Sequence, residues 1–327
     1  MPATKIADVI VPEVYNPYVL GKTIELNKFI ASGIATRDPD LLFPNMSRQV
    51  KGGKTVHIPF WKSLVDADNA EDEIMTDSDD YEINNIEAGE SIAAVLIRTK
   101  IWGANDLAGY FAGSDPMLAI ANMDAAYWAN REQHVLLNVL KGVMDKEAGA
   151  LKEHVLDITG LDGNAAKLSN EAMIDAMYKM GDHVSELGGI ACNSAVMAAL
   201  TKLNLIETVR AADSPIEYKY YMGKPVIVDD AIKGDNSEHP IYFFGQGAIA
   251  FNEDTNGIET TETDRDKVHG TDILITRRAF VMHPRGLKWV GTPVKTTASN
   301  AELATPANWE LADNIKNVPI TKLVAKL

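Results

Sequence analysis

Between Lys62 and Arg98 the chain carries no lysine or arginine, while eleven residues in that stretch are acidic: Asp66, Asp68, Glu71, Asp72, Glu73, Asp77, Asp79, Asp80, Glu82, Glu87 and Glu90. Such a segment cannot bury itself, because a carboxylate taken out of water costs several kcal/mol unless a cation meets it. It is flanked by two β-rich runs, Thr55 to Trp61 (TVHIPFW) and Ser91 to Trp102 (SIAAVLIRTKIW). Pro59 lacks an amide donor, so the first run is expected as an edge strand. Two strands joined by a long acidic tip predict an extended hairpin that projects from the body and takes its partners from elsewhere. A solvated acidic loop is the plainer alternative. A calcium loop is a third, but Asp66 to Asp77 has no glycine at the turning position and breaks the EF-hand spacing.

The rest of the chain is long enough to support such a projection. Its 327 residues are 46% apolar and 24% charged, the usage of a soluble globular protein with one large core or two to three packed subdomains. No run reaches the roughly 18 apolar residues of a membrane-spanning helix. The start, MPATKIADVIVPEV, lacks the basic and apolar pattern of a signal peptide, so a cytoplasmic site of synthesis is expected. The single cysteine, Cys192, excludes an intrachain disulfide and a cysteine-rich zinc site, and reads as a lone buried thiol. A formal net charge of −15 argues against a protein that grips phosphates, leaving at most loose, non-specific contact with nucleic acid.

Residues 1 to about 48 hold Pro12, Pro17, Pro39 and Pro44 between short apolar runs, the pattern of an arm with one short helix from about Gly21 to Ser32. Asp115 and Pro116 form a helix start, N-cap and first position, and the helix is expected to run to about Met144. Its length would be roughly 40 Å at 1.5 Å per residue. It has two apolar faces, one of them interrupted at Glu132, so burial on two sides is expected. His134 on this helix reads as a packed or surface residue. A second helix is expected from Ser169 to Leu187, stopped by Gly188 and Gly189. A strand at Ile190 to Cys192 follows, then a helix capped by Ser194. Strands are predicted at Tyr218 to Asp230 with a turn between, at Ile241 to Phe244, at Ala248 to Phe251 and at Thr271 to His283. Helices segregated from a mostly antiparallel sheet make an α+β fold.

Motifs that would signal catalysis fail on particular residues. Gly52-Gly53-Lys54-Thr55 looks like the end of a phosphate loop, yet Arg48 stands where its first glycine belongs and a β-rich run follows instead of a helix. Gly245-Gln246-Gly247 follows a strand and resembles a dinucleotide fingerprint, but the next residues alternate as a strand, so a tight turn is expected. The seven histidines are scattered, and neither HExxH nor GxSxG occurs. No catalytic, cofactor-binding or metal-binding residue is assigned.

The order of these parts resembles the major capsid family of tailed bacteriophages with the Hong Kong 97-type fold. GGIACNSAVMAALTKL, GKPVIVDDAI and ITRRAFVMHPRGLKWVG are the most family-like phrases. The resemblance implies an N-terminal arm (1–50), an extended hairpin loop (51–102), a peripheral domain with a spine helix (103–159 and 253–293), an axial domain (160–252) and a C-terminal tail (294–327). It further implies that copies form pentamers and hexamers closing into an icosahedral shell around double-stranded DNA, with the hairpin laid over a neighbour. The chain is then a virion component assembled in the host cytoplasm and not an enzyme. Asp77, Asp79 and Asp80 at the tip, and Arg210, Arg277 and Arg278 as basic partners chosen on charge, are the expected assembly contacts. A separate scaffold protein is expected, and portal and decoration proteins are further possible partners. Two alternatives stand beside this reading: an encapsulin-type nanocompartment shell, and a soluble oligomeric enzyme recognisable by one large pocket with convergent polar groups.

Overall fold

A proline that cannot donate a hydrogen bond and an aspartate that can accept two fix the start of the longest helix. The computed structural model describes residues 27–37, 54–62, 86–112, 115–210, 217–234, 237–254 and 259–327. In chain order the first elements are α1 (Lys28–Ala31), β1 (Ala35–Arg37), β2 (Thr55–Trp61), β3 (Ala88–Asn105), α2 (Asp106–Ala112) and α3 (Pro116–Val143). Next come β4 (Val155–Asp157), α4 (Asn170–Met177), β5 (Leu187–Cys192), α5 (Ser194–Lys202), β6 (Glu207–Arg210), β7 (Glu217–Tyr221) and β8 (Lys224–Val228). The last are β9 (His239–Gly245), β10 (Ile249–Asp254), β11 (Thr261–Asp266), β12 (Thr271–Pro284), β13 (Leu287–Trp289), α6 (Asn300–Leu303), β14 (Trp309–Leu311) and β15 (Ile320–Ala325).

As expected, Asp115 caps α3, its carboxylate accepting from the amides of Met117 and Leu118 at 2.9 and 3.3 Å. Trp128, Leu136, Val139, Leu140 and Val143 are buried along the helix, each contributing about 1.5–3 kcal/mol on transfer from water. They pack against the segment that carries α6 and against two sheets. The first runs β1-β10-β12-β3-β13-β14, with β11 added to β12 and β2 to β3. The second runs β4-β15-β9-β5-β8-β7-β6. One continuous core joins α3 to both, through Phe280 and Met282 on the first and Tyr242 and Phe244 on the second. A separate cluster fills the space between the second sheet and helices α4 and α5, with Met173, Met177 and Met197 as packing groups.

The hairpin stem forms, but of the expected second run, Ser91 to Trp102, only Ser91 to Ala94 faces β2. β2 pairs antiparallel with β3 from Thr55 opposite Ala94 to Trp61 opposite Ala88, and Pro59 sits on the edge strand. The acidic tip, with Asp66 to Glu82, lies outside the described residues, as do most of the arm and Gly52-Gly53. β3 does not end with the hairpin: from Val95 to Asn105 it pairs with β12, so one strand belongs to both stem and body.

Three expectations are corrected. The helix from Ser169 ends at Met177, because Gly181 adopts φ 62°, ψ −128° and the chain continues as 3₁₀ turns to Glu186. Gly188 and Gly189 consequently lie inside β5. Asn193 rather than Ser194 caps α5, accepting from the amide of Val196 at 2.8 Å. The stretch read as a tail is folded into the body: β15 lies between β4 and β9, with Ile320, Leu323 and Ala325 buried. Gly245 to Gly247 forms the expected turn, Gly247 taking φ 68°.

Near the end of α3, Gly142 meets the start of the carboxyl-terminal segment. A methyl group at this position would run into the carbonyl oxygen of Leu303 and would lie 3.0 Å from the Trp309 indole nitrogen. Gly142→Ala is therefore expected to lower stability by about 1–3 kcal/mol, despite the better helix propensity of alanine. A thermal melt by circular dichroism checks this, and an unchanged melting temperature would show that α6 can move away freely.

Candidate assembly surfaces and the buried charge cluster

The basic partners expected for the acidic tip separate when placed on β12. Arg277 is partly exposed and forms a 2.6 Å ion pair with Glu262 of β11. Arg278, one residue on, points to the opposite face of the sheet, is buried, and reaches Glu253 of β10 at 2.5 Å. Period-two alternation thus makes Arg278 an internal group rather than a surface contact. Arg210 closes β6 at the far edge of the second sheet, so the three arginines do not come together. Asp77, Asp79 and Asp80 lie outside the described residues.

Around Arg278 lies a cluster that the sequence reading missed. Glu132 of α3 is 1% exposed, and its second carboxylate oxygen accepts from the Asn27 amide at 3.2 Å. Asn27 in turn caps α1, accepting from the amides of Phe29 and Ile30. The Trp128 ring lies 5.7 Å from the Arg278 guanidinium and its indole donates to Thr276 at 3.2 Å. Among the described residues, one oxygen of Glu132 and one of Glu253 have no hydrogen-bond partner. Burial first, and the neighbouring Glu253 carboxylate second, push Glu132 up to about 8, against the opposing pull of Arg278 and the Asn27 bond. Near neutral pH Glu132 is therefore a neutral acid, and the charged pair is Arg278 with Glu253. The available signal was the interruption of an apolar helical stripe by a glutamate, which marks a buried acid as readily as a break in the stripe.

Two arrangements bear on catalysis. Ser91 Oγ and His283 Nε2 are 3.0 Å apart, the spacing of a nucleophile and its base. Both are buried, however. Ser91 donates to the carbonyl of Leu287 at 2.6 Å, and burial lowers His283 to about 4. Stacked on Trp309 at 5.9 Å, His283 instead ties β3 and β12 to the β13–β14 pair. A cleft of about 330 Å³ lies where α3 meets β9 and β15, lined among others by His134, Lys146, Asp157, Tyr242 and Lys322. Lys146 pairs with Asp157 at 2.8 Å, and Lys322 donates to the Met144 carbonyl at 3.1 Å. No serine, threonine or cysteine lines it among the described residues. Cys192 is buried elsewhere, its thiol pushed up to about 12 by burial.

Among the described residues the stem of β2 and β3 is partly exposed. His57 and Glu90 pair across it, Lys62 meets Glu87 at 2.7 Å, and Trp61 at its outer end is 68% exposed. Its inner residues Val56 and Ile58 pack on the sheet beside Ala93, Val95 and Val281. Residues 122–319 match the family model described as Major capsid protein 13-like. The chain belongs to that bacteriophage capsid family. A major capsid protein of Bacillus phage SPP1 is 38% identical, the match spanning 100% of this chain and 99% of the relative. Solved structures similar in fold include one from Mycobacterium phage Che8, with TM-score 0.51, 11% identity and 89% of each chain covered. Another is the Cyanophage Pam1 capsid asymmetric unit, with TM-score 0.51, 11% identity, and 84% of this chain and 86% of that one covered. The capsid protein thus has the α+β Hong Kong 97-type fold that its sequence resembles, and its place is the shell of the virion.

For the buried cluster the pH dependence has a definite sign. Glu132 holds its proton more tightly folded than unfolded, so its contribution to stability is complete below about pH 4.5 and is lost as pH rises to about 8. Glu132→Gln keeps the shape without the ionisation. It is expected to melt progressively higher than the parent chain between pH 6 and 9, by on the order of a few kcal/mol at the upper end. Equal melting profiles across that range would contradict a buried, protonated Glu132.

Proposed function

We propose that this capsid protein has no catalytic role and builds the phage head by assembling with copies of itself, in pentamers and hexamers, into an icosahedral shell around double-stranded DNA. The observation that carries this reading is the stem of β2 and β3: an edge strand, with Trp61 exposed at its outer end, leading into a segment of sequence with unbalanced negative charge. Buried area for the stem and cations for the acidic run are what a neighbouring copy would supply. The proposed division is an arm at 1–50, an extended loop at 51–102, a peripheral domain at 103–159 and 253–293, an axial domain at 160–252 and a terminal segment at 294–327.

Asp77, Asp79 and Asp80 are the proposed tip contacts. Arg277 and Arg210 remain as basic partners on a neighbour, with Arg278 engaged inside its own subunit. Negative charge on the wall keeps contact with packaged DNA loose. The 38% identical relative favours a phage shell over an encapsulin-type compartment, and a buried Ser91 and His283 with a paired, polar cleft give the enzyme alternative no support. A separate scaffold, a portal and decoration proteins are the further partners proposed.

Expression with and without a scaffold protein, followed by sedimentation and negative-stain electron microscopy, tests this reading. Closed shells, tubes or capsomer rings are expected. The D77N/D79N/D80N variant is expected to keep its fold and to alter the particles formed. A small, compact oligomer under every condition would contradict the proposal.

A further inference from the structure

Where β3 hands over to α2, the first sheet ends in apolar side chains that are exposed among the described residues. Leu107, Tyr110 and Phe111 stand at i, i+3 and i+4 of α2 and are 65%, 82% and 82% exposed. The two rings pack edge to face at 5.6 Å, and with the leucine they present on the order of 400 Å² of apolar surface, a patch size that marks interaction sites. The helix is firmly held at its start. Asn105 accepts from the Leu107 amide at 2.9 Å, the Asp106 amide donates to Gly270 at 2.9 Å, and Arg265 bridges Asp106 at 2.5 Å and Asp272 at 2.7 Å.

Beside this face lies a shallow hollow of about 470 Å³, with Ala104, Gly109 and Met117 among its lining and the carboxylates of Asp106, Asp115 and Asp272 around it. The turn between β11 and β12 stands next to α2, fixed by a 2.6 Å bond from the Asn105 side chain to the carbonyl of His269. It presents Lys267 and Val268, the valine 86% exposed.

We propose that this end of the molecule is a contact between copies of the capsid protein, in which the α2 face and hollow of one copy receive the Lys267–Val268 turn of the next. The inference rests on the shell reading above and says which surface serves it. The charges favour a second copy as occupant: three carboxylates surround the hollow against the one guanidinium of Arg265, and the turn brings a lysine beside its apolar tip. The geometry favours it too. Knob and hollow are different surfaces, so a head-to-tail contact is open to them, one that repeats around an axis and can close into a ring. Leu107 and Phe111 would then meet Val268, while Lys267 reaches the acidic rim.

The test is sedimentation velocity of the full chain over a range of concentrations, with electron microscopy of the same samples. Parent chain, Tyr110→Ser/Phe111→Ser and Lys267→Glu are compared, and circular dichroism melts establish that each is folded. Both variants are expected to melt like the parent, to associate at least tenfold more weakly, and to give open rings or free subunits where the parent gives closed shells. Lys267 is exposed, so its variant decides the matter alone if the double variant fails to fold. Variants that form the parent's shells at the parent's concentrations would overturn this contact and leave the shell reading intact. A parent chain that stays a monomer throughout would overturn both.

Discussion

Eleven successive residue pairs join β3 to β12, from Asn105 opposite Thr271 to Val95 opposite Val281, and most other features are positioned by that ladder. Its inner face carries Leu96 and Phe280 to the core beneath α3. Beyond Val95 the same β3 strand exchanges β12 for β2, and the stem is tied to the body by continuous backbone, by the pairing of Ile92 with Lys288 of β13, by the buried Ser91 and by the packing of Val56 and Ile58. At its other end the ladder passes directly into α2 and the β11–β12 turn. A rigid rail with uncovered apolar groups at both ends suits a subunit whose remaining contacts come from its neighbours.

Beside this rail the chain buries charge. Arg278 and Glu253 face each other within it, and Glu132 from α3 adds a second carboxyl group that is stable there only while it keeps its proton. Asn27 links this cluster to α1, so one buried polar network holds together the short amino-terminal helix, the spine helix and two strands of the sheet. A hydrophobic replacement could pack the same space, but it would not join α1 to α3 through a directional bond.

Much of the fold was legible because its signals are local. Asp115-Pro116 marked the start of α3, Pro59 marked an edge strand, and Gly245 to Gly247 marked a turn, each through a backbone rule that needs no tertiary context. The end of α4 was misplaced because Gly181, and not the glycine pair after Leu187, takes the left-handed conformation that breaks the helix. β15 was read as tail because a short apolar run close to the end of a chain carries no sign of the strands it will join. The assembly surface was only half visible. Charge counting found the acidic segment, but it could not tell Arg277 from Arg278, which only strand register separates into a partly exposed and a buried arginine. α2 escaped notice because seven residues between a strand and a long helix offer too little periodicity to read.

If the body is complete in one chain and a neighbour completes the hairpin, as proposed, amide hydrogen exchange will differ between dispersed subunits and assembled particles at the hairpin and not along the β3–β12 ladder. The β3–β12 amides from Val95 to Asn105 should be protected alike in both states, whereas those of Thr55 to Trp61 should exchange at least tenfold more slowly in particles. Equal and strong protection of Thr55 to Trp61 in dispersed subunits would contradict the claim, since the hairpin would then be finished within its own chain.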